Sequence, residues 1–374
     1  MTKARDLANL GNKTSLDEIN DAYDAGALSN RNILHNPEMK VAQRGTSFTG
    51  VEAPAYHIDR WRSHISGVST KGICTITQDS DVPNGFAKSL KVAVTTADTS
   101  LDAWAEYAIQ QRLEGQDLQR LCKGTSSTKE VTISFWVKSS LTGTYILEML
   151  DDDNGSRHIN KSYTINTSNT WEYKSITFTG DTAGVLDNDN AKSMTISWFL
   201  AGGSNFQGGG LQTSWGSLAQ TKRQDGQVNF FANTGNTFQL TACQMEVGDT
   251  ATPFEHRSYG EELTKCQRYY QVFKEEGTAT FGVAFAFNAT AAYDGSQQIF
   301  PVKMRATPSR SASGTWSTTD GTGTILAITQ FHGTTNSWGY QLGFSVASGL
   351  SQFRPYGIRA LTGSGSQLKF DAEL

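Results

Sequence analysis

Cysteine, histidine, proline and net charge are all in short supply in this chain of 374 residues, and each shortage narrows what the protein can do. The four cysteines, Cys74, Cys122, Cys243 and Cys266, are widely scattered and form no CxxC or Cys/His pair. That argues against a disulfide framework and against a zinc site, and it reads as free thiols folding in a reducing cytoplasm. A formal net charge of −4 supplies no positive field for phosphate backbones or anionic lipid, so nucleic acid and membrane insertion are poor expectations. No uncharged apolar run approaches the length of a membrane span. The basic stretch 1–10 is not followed by the apolar core of a secretory signal. Nothing in the composition calls for a cofactor.

What is abundant points to β-structure. Glycine, at 36 residues against 7 prolines, accompanies plentiful Ser and Thr and only 18% charged residues, a mixture suited to short strands joined by polar turns. The length predicts two or three folded units. Residues 131–137 give the clearest strand: Val131, Ile133, Phe135 and Val137 alternate with Thr132, Ser134 and Trp136, the period of a strand with one buried face. Similar runs occupy 56–65, 72–77, 103–113, 145–150, 171–178, 194–200 and 238–247, with turn-rich punctuation at 151–156, 179–190 and 202–210.

Two capping boxes mark helices. Ser15 with Glu18 starts a short one whose Leu16, Ile19 and Tyr23 share a face. Ser258 with Glu261 starts another, with Leu263, Cys266, Gln267 and Tyr270 on one side. Strand signals resume at 280–287, 297–302, 324–329, 339–346 and 356–361. The expected architecture is all-β: a segment 1–30 that docks through Leu16, Ile19 and Tyr23, a jelly-roll sandwich over 31–257, a linking helix over 258–275 and a smaller β domain over 276–374. The last of these looks too small and too rich in Gly, Ser and Thr for a large core of its own, so association between copies would help it bury apolar surface.

Several strings are more specific. NILHNPEMKVAQRGTSF from Asn32, YHIDRWR from Tyr56, QQRLEGQDLQRLCKGT from Gln110, SFWVKSS from Ser134, SNTWEYKSITF from Ser168, QMEVGDTATPFEHRSYGEELTKCQRYYQ from Gln244 and FPVKMRATPS from Phe300 occur in this order. Over 32–309 the chain resembles a β-sandwich module of phage and prophage tail-fibre-like proteins. The resemblance implies a jelly roll akin to carbohydrate-binding modules, a homotrimeric virion appendage made in the host cytoplasm, contacts with other virion proteins, and host surface polysaccharide as a ligand. It supplies no ligand site residue by residue, and the chain lacks the long shaft of a fibre. A purely structural adaptor or capsid-decorating fibre, and a polysaccharide-degrading tailspike, stay open as alternatives.

Chemistry is sparse by comparison. Asp59, Glu106, Glu114, Glu148 and Glu172 are available acids, but none sits in a recognisable catalytic string and GxSxG is absent, so no enzyme is expected. The run Asp151, Asp152, Asp153, Asn154 lacks the distal bidentate acid of a calcium loop and reads as a solvated hairpin turn. His57 and His64, an odd interval apart on one strand, would face opposite ways and share no metal. Asp59, Arg60 and Trp61 read as a buried tryptophan beside a local ion pair. Aromatics in Gly-rich loops are better candidates for saccharide contact, because a flat ring covers the apolar face of a pyranose while amides bond its hydroxyls. Trp215, Trp338, Tyr340, Trp316 and Tyr356 meet that description, with Asn205, Gln207 and Asn336 as polar partners. Each of these rings is at least as well suited to a core or a subunit interface.

Overall fold

A computed structural model describes residues 30–374 apart from 70–71, 276–279, 296, 323–324 and 362. The expected docking helix, with Leu16, Ile19 and Tyr23, lies outside the described residues. The chain divides into two compact units after Ser258.

In the first unit the strands are β1 (Ser47–Val51), β2 (Ala55–Tyr56), β3 (Arg62–Ser66), β4 (Ile73–Asp79), β5 (Ser89–Thr96), β6 (Glu106–Glu114), β7 (Val131–Ser139), β8 (Gly143–Asp151), β9 (Arg157–Ile165), β10 (Glu172–Phe178), β11 (Lys192–Gly202), β12 (Gly216–Ser217) and β13 (Thr237–Val247). They form two sheets, in the orders β1-β4-β5-β13-β7-β10 and β12-β9-β8-β11-β6-β3-β2. Consecutive strands repeatedly cross from one sheet to the other, which closes the two inner faces over each other as a jelly-roll sandwich. The alternation read in β7 is what fills the interior: Val131, Ile133, Phe135 and Val137 are all buried. Phe135 stands edge-on to Trp198 of β11, with centroids 5.8 Å apart, and to Tyr163 of β9, at 5.1 Å. These ring contacts join one sheet to the other.

The expected strand 56–65 is interrupted. Residues 57–61 form a turn between β2 and β3, closed by Trp61 N donating to Ile58 O, with Arg60 at φ +71°. Trp61 is buried as expected, its indole N–H donating to Asn36 O at 2.9 Å. The ion pair beside it joins Asp59 to Arg44 at 3.3 Å, while Arg60 reaches the carbonyl of Arg112. The acidic run after β8 is also less solvated than expected. Asp151 is fully buried against Lys123, and Asp152 meets Lys192 at 2.5 Å, so protein cations hold the oxygens that a metal would need. All four cysteines are free thiols.

The second unit opens with the helix Tyr259–Gln267. It is shorter than the expected 258–275, and Tyr270, expected on its face, begins a strand. That strand and its successors are β14 (Tyr270–Lys274), β15 (Thr280–Ala286), β16 (Ala291–Gly295), β17 (Gln297–Ile299), β18 (Ser309–Ser313), β19 (Trp316–Thr319), β20 (Ile325–Ala327), β21 (Gln330–His332), β22 (Gly339–Gln341), β23 (Gly343–Ser345), β24 (Pro355–Ala360) and β25 (Gln367–Asp371). They make sheets β14-β25-β18, β20-β19-β24-β15-β16-β23-β21 and β17-β22. This unit has a core of its own, smaller than that of the sandwich, in which Phe300, Met304, Tyr340, Phe344, Ile358 and Phe370 are buried. It also leaves apolar side chains outside. Ala284 and Ala286 of β15 face inward, while Phe285 is 51% exposed and Phe353 75%.

Candidate saccharide-binding site

The sequence candidates fall into three environments. Trp316, Tyr340 and Tyr356 are buried at 4%, 4% and 1% exposure, so the core alternative holds for them. Trp316 donates from its indole N–H to Ser313 O at 2.9 Å and stands edge-on to Phe331. Tyr356 accepts the Ser351 N–H on its hydroxyl. In the first unit Trp215 is half-buried against the sandwich core. Its N–H donates to Thr179 O at 2.8 Å, and Lys123 Nζ lies 4.9 Å above its ring. Gln207 is turned back onto Gly202 O at 2.7 Å, and Asn205 is half-buried beside it. Trp215 thus fastens the 179–190 loop to the sandwich, and Gln207 fastens its own loop.

The hairpin joining β21 to β22 brings Asn336 and Tyr340 together at one recess. Gly333 begins it at φ +106°, where a Cβ would lie 2.2 Å from Gln341 O, so glycine alone admits this close approach. Asn336 then makes an Asx turn, its Oδ1 accepting the N–H of Trp338 at 2.8 Å and of Gly339 at 3.0 Å. That turn holds Trp338 outward. The indole is 62% exposed, with Lys303 Nζ 4.7 Å above the ring. Behind it β22 pairs with β17, Gln297 opposite Gln341 and Ile299 opposite Gly339.

The result is a cleft of about 220 Å³ lined by Gln297, Thr334, Asn336, Gly339, Tyr340 and Gln341. Tyr340 forms its floor but belongs mainly to the core, 4.5 Å from Phe370 and 5.4 Å from Phe300, and burial pushes its hydroxyl up to about 12. Three side-chain amides and a threonine at the rim offer both donors and acceptors, and among the described residues no carboxylate lines the recess. Such a surface matches the mixed donors and acceptors of sugar hydroxyls, with an exposed indole beside it to stack on a pyranose. Sequence reasoning named Asn336, Trp338 and Tyr340 but missed Gln297, Gln341 and Lys303. Those three are brought in by strand pairing and by a turn more than thirty residues upstream, for which a linear reading has no signal.

The acids sort themselves differently. Glu106 of β6 and Glu148 of β8 project from the same face of one sheet and are clamped by Arg223, at 2.9 Å and 2.6 Å. His158 Nδ1 lies 3.0 Å from Glu148. Burial pushes Glu148 up, but the charge of Arg223 and hydrogen bonds from His158 and Arg223 outweigh it and hold the group at about 2. Burial raises Glu106 by more than Arg223 offsets. The two carboxylates are 5% and 0% exposed, so a polymer cannot reach them. Asp59 is held by Arg44, Glu114 accepts from Gln116, and Glu172 is tied to Lys174 and Asn166. A second aromatic surface, unnoticed in the sequence, pairs Tyr173 of β10 with Trp136 of β7 in register, 5.6 Å apart on the outside of the sandwich. The outward position of Trp136 in the β7 alternation was its only signal.

No family model and no curated protein matches this chain. Among solved structures it is similar, at 14% identity and a TM-score of 0.32, to the enzymatically active domain of tailspike protein 4 of Bacteriophage CBA120. That match covers 58% of this chain and 21% of the other, so the chain spans about a fifth of that protein's length. It is similar to a family 4 carbohydrate-binding module at 15% identity and a TM-score of 0.31, covering 57% of this chain and 98% of the module. A putative sugar binding protein from Bacteroides thetaiotaomicron matches at 11% identity and a TM-score of 0.32, covering 58% of this chain and all of the other.

Proposed function

We propose that this protein is a non-enzymatic structural subunit of a tailed-phage virion appendage that holds host surface polysaccharide in the cleft beside Trp338. The observation that carries the binding reading is the juxtaposition in one hairpin of an outward indole, fixed by Asn336, with a recess rimmed by Gln297, Thr334 and Gln341. Support for the virion role comes from the ordered strings between Asn32 and Ser309 that resemble tail-fibre-like modules. Binding without cleavage is favoured because the one close pair of carboxylates described above is buried and clamped by Arg223. Assembly as a homotrimer would cover apolar side chains such as Phe285 and Phe353, which the second unit leaves exposed. Four free thiols suit synthesis in the reducing host cytoplasm, with release on lysis.

The test is titration of the full-length protein with purified surface polysaccharide of a strain to which particles carrying it adsorb. Binding that weakens about tenfold or more in Trp338→Ala supports the reading, since loss of one stacked ring is worth roughly 1.4 kcal/mol or more. No binding, or binding indifferent to Trp338, contradicts it. Release of new reducing ends would point to cleavage instead.

A further inference from the structure

A second recess of the second unit is separate from the cleft beside Trp338. Strands β18, β19 and β21 border an open cavity of about 330 Å³ whose lining includes Arg310, Ser311, Trp316, Thr329, Gln330 and Phe331. The volume is at the lower end of small-ligand sites and large enough for one sugar residue. One wall is apolar, made by Trp316 and Phe331 with centroids 5.1 Å apart. Ile328 and Ala312 add to the apolar lining, Ser311, Thr329 and Gln330 supply polar groups, and among the described residues the one charge is the guanidinium of Arg310.

Arg310 is satisfied in an unusual way. Its acceptors are backbone carbonyls: Nη1 donates to His332 O at 2.9 Å and to Gln341 O at 3.4 Å, and Nη2 reaches Phe331 O at 3.5 Å. A guanidinium carries five N–H donors, so two remain for a ligand. Among the described residues no carboxylate forms an ion pair with it, in contrast to Arg44, Arg157 and Arg223. Burial without a counter-charge also depresses its pKa. A partly desolvated cation at the wall of a cavity with no acid is an incomplete pair, and a carboxylate completes it through charge-assisted, fork-shaped hydrogen bonding. The bond to Gln341 O matters as well, because Gln341 also lines the cleft beside Trp338. The segment 331–341 therefore borders both recesses.

We infer that the Arg310 cavity receives the carboxylate of an acidic sugar, and that the polysaccharide bound beside Trp338 is a uronic-acid-type or otherwise carboxylated polymer. This rests on the binding reading above. The experiment uses the full-length protein and the same surface polysaccharide in two forms, native and with its carboxyl groups reduced to alcohols. The expected result is native polymer binding about tenfold or more tighter than reduced polymer, with Arg310→Gln abolishing that difference and Trp338→Ala weakening both forms. Because Arg310 ties β18 to β21 and β22, a second variant guards against misfolding: Ala312→Glu, at an exposed position of β18 on the same face as Arg310, places a competing carboxylate at the cavity. It should also erase the preference while the protein melts as the parent does. Equal binding of the two forms, or a preference that survives Ala312→Glu, overturns this inference and leaves the binding reading standing. Failure of both forms to bind overturns the binding reading itself.

Discussion

At the scale of single residues, the sandwich concentrates its electrostatic risk at Arg223. Replacing Arg223 with Met strands two buried carboxylates, and removal of one partner from a buried ionic cluster typically costs about 3–5 kcal/mol. A drop of that order in unfolding free energy, measured by urea denaturation, is expected; a change below about 1 kcal/mol would mean that water reaches the site. The histidines set a pH dependence. Burial, with the charge of Arg44, lowers His57 to about 4; burial, with the charges of Arg62, Arg223 and Arg112, lowers His64 to about 3. Their unfolded value is 6.5, so between the two limits the unfolded chain binds more protons. Their contribution is therefore fully present above about pH 6.5 and is lost as pH falls toward 4 and below. Urea midpoints should decline across that window, and His64→Gln should flatten the decline; a midpoint unchanged from pH 7 to 4.5 would contradict these shifts. None of this was legible in the sequence, because Arg223 meets Glu106 and Glu148 across 117 and 75 residues.

At the scale of elements, legibility followed alternation. Strand β7 was plain because its inward residues are all large and apolar, and Phe135→Ala should cost about 3–5 kcal/mol, whereas Trp136→Ala on the outer face should cost much less. Equal losses by thermal unfolding would show that the two faces are misassigned. Strand β9 was missed because His158, Asn160 and Ser162 fill one face with polar groups. His158 and Asn160 are fully buried all the same, His158 on Glu148 and Asn160 donating to Lys222 O. Polar residues that find partners under a covering loop look like a turn to any hydropathy pattern. The interruption at 57–61 was hidden for the opposite reason: Ile58 and Trp61 are apolar and buried, so the turn carries a strand-like composition. In the candidate site, Asn336 and Trp338 were legible as a turn residue beside an aromatic, while β17, which supplies Gln297, needed pairing information. Gly339 is the hinge of that pairing, since a Cβ there would sit 2.2 Å from Gln298 O. Gly339→Ala should spread β17 from β22 and weaken polysaccharide binding along with Trp338→Ala, and unchanged affinity would place the ligand elsewhere.

At the scale of the whole molecule, the first unit is a heavily cross-braced sandwich, and the second combines a smaller aromatic core with two recesses and exposed apolar side chains. If copies associate through the exposed residues of β15 and its neighbours, light scattering of the full-length protein should give three times the chain mass, and Phe285→Asp should shift it toward monomer; a monomeric parent protein would end the trimer proposal. Removal of residues 1–30 should abolish incorporation into particles while leaving folded oligomers, and normal incorporation would count against docking through that segment.

The most direct measurement is a crystal structure of the full-length protein with an oligosaccharide prepared from the host surface polymer. The account predicts a sugar ring stacked on Trp338, with hydroxyls within hydrogen-bond reach of Asn336, Gln297 or Gln341. Sugar density confined to the outer face of the sandwich at Trp136 and Tyr173, with the hairpin between β21 and β22 empty, would contradict it.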